Sequence, residues 1–398
     1  MARNDDARDE PAYRPAAGPD DESAFARILE RSFGLQRESS GVAWRRLGGD
    51  VRVLDDGGEV VACLGWYDCG QWFGGRSVPC AGIAAVGVEP HRRGAGLASR
   101  LVRCALRETA QRGFPIAALY PSNLALYRSA DFEVAGGRYE LDARCRDLPR
   151  VKGAEPLVPL PEGVHDHRVR ALHRRSGARR DGWIDRNEAL WDRVREFRGE
   201  LREGFGVERG GELAGYVFVA RRKRRSWGFD LVVGDLAADD APAARALLAF
   251  LAAHATIAVD VQLFLAPWDP VCGLLDGLPA RHALHHPWML RVLDVPAALA
   301  ARGFARHVQA EVEIAVEDRL LPHNHDRFVV TVEDGVARVR RGGAGRVRLA
   351  ARALGPWYTG AQTAEALAFR GLASGPAADL AALSAMTAGA APWTADFF

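Results

Sequence analysis

One segment constrains this chain more than any other: a strand that runs into a glycine-bearing turn and then into a helix. It reads Val86-Gly87-Val88-Glu89-Pro90-His91-Arg92-Arg93-Gly94-Ala95-Gly96-Leu97-Ala98. Cys80 to Val88 is apolar at nearly every position, which predicts a strand buried on both faces. From residue 97 to 112, Leu97, Leu101, Ala105 and Glu108 share a stripe flanked by Val102 and Leu106, and Gly113 follows as the C′ residue. The start of such a helix leaves backbone N–H groups unpaired at the positive end of the helix dipole. That is an anion site suited to a pyrophosphate. Gly94 and Gly96 let phosphates approach the backbone closely, and Arg92 and Arg93 add charge. A strand-to-helix loop with solvated arginines is the plainer reading of the same residues.

Around this segment the chain alternates helix and strand. Residues 1–18 are polar and Pro-containing and read as a loose tail. Acids at Asp20, Asp21 and Glu22 precede Phe25, Ile28, Leu29 and Phe33 at helical spacing, which predicts an N-cap and an amphipathic helix. Val51 to Leu54 and Val60 to Trp66 flank a Gly-containing turn, a β-hairpin. Pro115 to Tyr120 reads as a strand, Asn123 to Ala130 as a short helix and Arg138 to Leu141 as the start of another strand. Four prolines between Arg144 and Glu162 mark a linker. A second αβ unit follows, with helices at Asn187 to Arg198 and Ala241 to His254, a hairpin from Glu212 to Val233, and a strand from Ile257 to Leu265. A third unit opens at Trp288 to Leu293 and continues with a helix at Val295 to Ala301, strands, and closing helices. The boundaries are therefore 1–18, 19–147, 148–287 and 288–398.

Composition excludes several classes. The 398 residues are 48 % hydrophobic and 26 % charged with a formal net charge of +2, so no global field favours nucleic acid or an anionic membrane. No apolar run approaches the roughly 18 residues of a membrane span. The N-terminus lacks the apolar stretch of a secretory signal, and the spacing of the six cysteines fits no zinc or CxxC pattern, which together point to a reducing cytoplasm. His165-Asp166-His167 and His323-Asn324-His325 look like ligand pairs, but neither has a third ligand, so both read as polar loops and no metal is implied. Arg221-Arg222-Lys223-Arg224-Arg225 reads as a solvated hairpin tip, because no aromatic platform accompanies it.

Arg93-x-x-Gly96-x-Ala98 after a buried strand resembles the acetyl-CoA motif of the GNAT acetyltransferase superfamily, R/Q-x-x-G-x-G/A. Downstream, the run from Ser122 and Asn123 through Tyr127 to Asp131-Phe132 resembles the superfamily's N-x-x-A-x-x-Y-x-x-x-G-F block, with Asp131 where Gly is usual. Asp tolerates left-handed φ better than most residues. His91-Arg92-Arg93, Ala118 to Ser122, Val295 to Phe304 and the terminus Thr394-Ala395-Asp396-Phe397-Phe398 are similar to the Eis (enhanced intracellular survival) family. The resemblance implies an α+β fold: tandem GNAT domains, the second degenerate, then a sterol-carrier-protein-like α/β domain. It implies acetyl-CoA as co-substrate, an amine as acceptor (small-molecule or peptidyl), and a homo-oligomer that is hexameric in relatives.

For the site, the resemblance places the thioester along Val86, Gly87 and Val88, whose N–H groups would bond the pantetheine arm and the thioester oxygen. The pyrophosphate would lie at Arg93, Gly94, Ala95, Gly96, Leu97, Ala98 and Ser99. Ser122 and Asn123 would touch the far side. Tyr127 suits a general acid for the departing thiolate, or equally a ring packed under the CoA arm. In the Eis family the chain terminus acts as general base. Here that is the α-carboxylate of Phe398, with Trp393, Phe397 and Phe398 supplying the apolar surface that raises its pKa; a frayed aromatic tail is the bland alternative. Phe397 stands where aminoglycoside-acetylating relatives would carry an acid, which weakens a polycationic acceptor. The rival function is a non-catalytic lipid or small-molecule carrier that uses the C-terminal domain.

Overall fold

The computed structural model describes residues 10–225 and 227–398. The helix Gly18–Phe33 buries Phe25, Ile28 and Leu29. Its first turn is capped from within, because the Asp21 carboxylate accepts from the Ala17 N–H at 2.7 Å. The predicted acids are therefore in the first turn and do not precede it. The predicted loose tail is also corrected. Ala12–Pro15 pairs antiparallel with Val51–Asp56, and Arg14 bridges Asp21 and Asp55, so ion pairs hold a segment too polar to read as a strand. Residues 1–9 of that tail lie outside the described residues.

One continuous sheet carries both αβ units. Its order runs Ala12–Pro15, Val51–Asp56, Glu59–Phe73, Arg76–Val88, Ile116–Leu119, Arg281–Val292, Glu133–Arg144, Ala258–Leu263, Phe229–Ala238, Glu212–Lys223, Glu203–Arg209, Leu157–Pro159. The units exchange their last strands. Arg281–Val292 comes late in the chain yet pairs with Ile116–Leu119 of the first unit, and Glu133–Arg144 pairs with Ala258–Leu263 of the second. These two long strands pair with each other antiparallel at the junction. Trp288 to Leu293 therefore does not open the third unit. It is the end of a sheet strand that the 287/288 boundary cuts through. Its apolar run looked like a fresh start because it is buried in the middle of the sheet.

The C-terminal unit has its own sheet, ordered Val336–Arg341, Arg327–Glu333, Ala310–Glu317, Val347–Ala350, Ala373–Ser374. Its helix Ala351–Thr359 docks on the exchanged strands. Thr359 Oγ1 donates to the Ala135 carbonyl at 2.8 Å, and Tyr358 meets Phe73 edge-on with centroids 5.3 Å apart. Glu133, 1 % exposed, collects Arg128, Arg352 and Arg370. Burial alone would raise its carboxyl; hydrogen bonds from Arg128, the Val134 N–H and Arg370 outweigh that and hold it below the usual range. One carboxylate thereby ties the helix bearing Tyr127 to the C-terminal unit.

Gly355 allows this docking, because a Cβ there would lie 2.4 Å from the Leu290 carbonyl oxygen. Gly355→Ala is expected to lower stability by about 1–3 kcal/mol through overpacking. Gly273→Ala, where a Cβ meets nothing within 4 Å, should be nearly neutral. Thermal melting of the two variants decides; equal midpoints would contradict the docked arrangement.

Candidate active site

The strand Arg76–Val88 departs from regularity where chemistry needs it. Its pairing with Glu59–Phe73 slips between Cys63 and Gly65, and Ala85 sits there with φ of 56°, a β-bulge with a left-handed non-glycine residue. On its other edge, parallel pairing with Ile116–Leu119 reaches only from Cys80 to Ile83. From Ala84 onward that edge has no ladder partner, because the neighbouring strand ends at Leu119. Gly87 is needed for packing, since a Cβ would lie 2.6 Å from Ile28 Cγ2. The helix that carries Ile28 is pinned by Arg27 and Arg31, which both pair with the buried Glu89 just past the strand.

Beyond Glu89 the chain turns through Arg92, which pairs with Asp56, and Arg93, which has no carboxylate partner among the described residues. Gly94 and Gly96 have φ of 84° and 76°, and a Cβ on either would meet nothing within 4 Å. Their freedom serves the backbone turn and leaves open space above it. Gly96 is the N-cap of the helix Leu97–Gln111 and offers no side-chain cap. The first helical bond comes from the Arg100 N–H, so those of Leu97, Ala98 and Ser99 have no acceptor within the helix. Exposed glycines, free N–H groups and an unpaired arginine fit a pyrophosphate.

Beside the unpaired edge at Ala84 lies a cavity of about 320 Å³. Its floor holds Ile83 to Val86, Ser122, Tyr120 and Tyr127. The helices Gly18–Phe33 and Arg37–Leu47 form one wall, Arg193 to Gly199 of the second unit another, and Phe397 and Phe398 a third. Tyr127 is buried against Phe132, and burial, partly offset by a hydrogen bond with Ser122, pushes its pKa to about 12. At neutral pH it therefore holds its proton. Asp131 has φ of 62°, the left-handed turn expected where Gly is usual. Asn123 is largely committed elsewhere: its Oδ1 caps the helix Leu124–Arg128 by accepting from the Ala125 and Leu126 N–H groups.

The chain terminus is held along its length. Trp393 forms a parallel bridge with Gly137 and is buried against Trp183 in the second unit, so it does not surround Phe398 as the sequence suggested. The next residues turn toward the cavity. Arg138 Nε donates to the Ala395 carbonyl at 2.8 Å and Tyr120 Oη donates to that of Asp396. Arg193 Nε donates to the Phe397 carbonyl at 3.0 Å. The Asp396 carboxylate takes Arg186 in a fork at 2.6 and 3.2 Å, and Arg186 also reaches Asp235 at 2.6 Å. Phe398 lies over Gly82, where a Cβ would come within 3.0 Å of its ring, with Tyr67 and Tyr120 edge-on at 6.2 and 5.6 Å. The terminus is docked, with the Phe398 ring among aromatics of the first unit and Phe397 also against Phe197 of the second.

Sequence reasoning did not find the second unit's share of the cavity. The predicted helix to Arg198 ends at Arg195, and Glu196–Phe197 pairs with Glu200–Leu201 in a small hairpin turning at Arg198, φ 53°, and Gly199. The Arg-Gly pair was the available turn signal. The other singled-out clusters have structural roles. Asp166 caps a helix and pairs with Arg168, and Asn324 bonds the Leu293 carbonyl and Asp318. In the basic run Arg221, Arg222 and Arg224 are ion-paired.

Known proteins agree with this architecture. Residues 12–135 and 182–292 each match an acetyltransferase (GNAT) domain, and residues 295–395 match a sterol carrier protein domain. The N-acetyltransferase Eis of Mycobacterium tuberculosis is 30 % identical over 356 residues, covering 83 % of this chain and 84 % of that protein. The chain belongs to the Eis family of GNAT N-acetyltransferases. Its fold matches a GCN5-related N-acetyltransferase of Anabaena variabilis with a TM-score of 0.92 at 29 % identity, covering 97 % of this chain and 100 % of that one. The GCN5-related N-acetyltransferase of Kribbella flavida matches at 0.86 and 32 % identity, covering 98 % and 99 %. Eis1 of Mycobacterium abscessus matches at 0.78 and 25 %, covering 97 % and 100 %. As an Eis-family acetyltransferase, the chain has the tandem GNAT and sterol-carrier organisation that its motifs implied.

Asp396 is the anchor of the docked terminus. Asp396→Ala strips one carboxylate from the buried Arg186 and should cost about 3 kcal/mol, the low end for breaking a buried pair because Asp235 remains. Carboxypeptidase should then remove Phe398 and Phe397 faster than from the parent protein. Unchanged melting and unchanged digestion would contradict the anchoring.

Proposed function

We propose that this chain transfers the acetyl group of acetyl-CoA to a primary amine by direct attack on the thioester, with Tyr127 as general acid and the Phe398 α-carboxylate as general base. One observation carries the reading: the unpaired edge at Ala84 to Val86, the buried Tyr127 and the chain terminus meet at one cavity. In this reading the N–H groups of Val86 to Val88 align the pantetheine arm and accept charge on the thioester oxygen. Arg93 and the N–H groups from Gly94 to Ser99 hold the pyrophosphate. Phe398 takes the proton that the amine sheds on attack, and Tyr127 gives its proton to the departing thiolate sulfur. Tyr127 is available for that role because it lines the cavity and, like any tyrosine, is protonated at neutral pH.

A non-catalytic carrier is disfavoured by where the cavity lies. Its walls belong to the two GNAT units and the terminal residues, not to the sterol-carrier sheet. Assembly into a hexamer is carried over from relatives as part of the proposal.

Two variants test it through CoA binding and acceptor-dependent CoA release. Gly96→Glu puts a side chain on a left-handed residue and a like charge at the pyrophosphate, and should abolish CoA binding in calorimetry while the protein stays folded. Tyr127→Phe should lower kcat by about 10²-fold with little change in CoA affinity. Unchanged CoA affinity in folded Gly96→Glu would move the binding site elsewhere. A wild-type rate in Tyr127→Phe would remove that hydroxyl from the mechanism.

A further inference from the structure

The cavity is lined by more positive than negative charge. Among its described lining residues are three guanidiniums, Arg46, Arg193 and Arg198, against the Glu196 carboxylate and the chain terminus at Phe398. We propose that the acceptor amine carries an anionic group, a carboxylate in its simplest form, on an apolar body, and that these arginines bind it; this rests on the acetyl-transfer reading above.

The arginines come from elements that the fold brings together. Arg46 lies on the helix Arg37–Leu47, Arg193 near the end of Glu188–Arg195, and Arg198 at the turn of the small hairpin. None has a carboxylate within 4.0 Å among the described ion pairs, whereas their neighbours Arg186 and Arg195 do. Arg193 and Arg198 lie over the Phe197 ring at 5.1 and 5.2 Å, and the hydrogen bonds of Arg46 and Arg193 go to carbonyls. Arg46 reaches those of Asp192 at 3.3 Å and Glu196 at 3.5 Å, and Arg193 Nε reaches that of Phe397. Burial, and then the nearby charge of Arg193, lower the pKa of Arg46, and Tyr67, Asp192 and Glu196 offset this only in part. Behind them, buried Arg138 and half-buried Arg202 also hydrogen-bond only carbonyls among the described residues.

This charge discriminates between acceptors. A polyammonium acceptor would bring like charge into a partly desolvated site, and that is costly. A carboxylate would meet planar donors able to bind it in a fork. The field also helps chemistry at the other end, because nearby positive charge favours the neutral amine, the form that attacks. Between the ends the wall is apolar and aromatic, with Leu29, Phe33, Val42, Tyr67 and Phe197.

The test uses the full chain with its native terminus. CoA release is measured with 4-(2-aminoethyl)benzoate, its neutral isostere 4-(2-aminoethyl)benzamide, and spermidine. Binding of the unreactive pair 4-ethylbenzoate and 4-ethylbenzamide is measured by calorimetry. The carboxylate amine should exceed the amide in kcat/KM by about 10- to 100-fold, mainly through KM, the range for hydrogen bonds to a charged group. Spermidine should be the poorest acceptor. In Arg46→Gln and in Arg198→Gln the carboxylate-to-amide ratio should fall toward one. Turnover with no preference for the carboxylate, or with spermidine preferred, would overturn the anion site and leave acetyl transfer standing. Arginine-dependent binding of 4-ethylbenzoate without acetylation of any amine would do the reverse. Neither turnover nor a binding preference would overturn both.

Discussion

The pairing of Arg281–Val292 between Ile116–Leu119 and Glu133–Arg144 is the constraint on which the rest of the molecule depends. It makes one sheet of two αβ units, so the hairpin of the second unit stands opposite the unpaired strand edge of the first. The same strand leads directly into the C-terminal unit, whose helix Ala351–Thr359 then rests on it. Only with that unit fixed can residues 393–398 run back past Gly137 and end over Gly82. Each ordered tail residue costs about 1–2 kcal/mol of backbone entropy, so the tail needs strong anchors. Arg186, Arg138, Arg193 and Tyr120 supply them from both units.

Charge is used in two opposite ways within a short stretch of structure. At Asp396 a buried arginine is fully matched, shared between two carboxylates. In the cavity beside it, arginines meet carbonyls and the Phe197 ring, with no carboxylate within 4.0 Å among the described residues. The first arrangement fixes the chain; the second leaves a charge for something else to answer. Tyr127 follows similar logic. It is buried beside the cavity, and the Glu133 cluster fixes the helix that carries it.

The turn and helix start of the candidate site were legible because their signals are local. Arg93-x-x-Gly96-x-Ala98 combines a turn geometry with a phosphate geometry, and both leave their mark within a few residues. Asp131 was readable for the same reason: a left-handed position constrains residue type. What could not be read depends on partners far along the chain. Glu133–Arg144 and Arg281–Val292 both mix apolar with charged residues, and nothing in either says that they change neighbours between units. The bulge at Ala85 is invisible because an alanine there obeys tertiary register rather than its own preference. Ala12–Pro15 was missed because ion pairs, not apolar alternation, hold it. Arg46 and Arg193 looked like solvated helix arginines until the fold set them across one cavity.

The claim that the terminus completes the active site of the first unit is tested most directly by extending the chain past Phe398. Two glycines appended there keep both phenyl rings and the Asp396 anchor but move the carboxylate away. The account predicts that turnover falls by about 10²–10⁴-fold, the span of general acid–base catalysis, with CoA affinity and melting temperature unchanged. A homogeneous, uncleaved extended protein that turns over at the parent rate would contradict it.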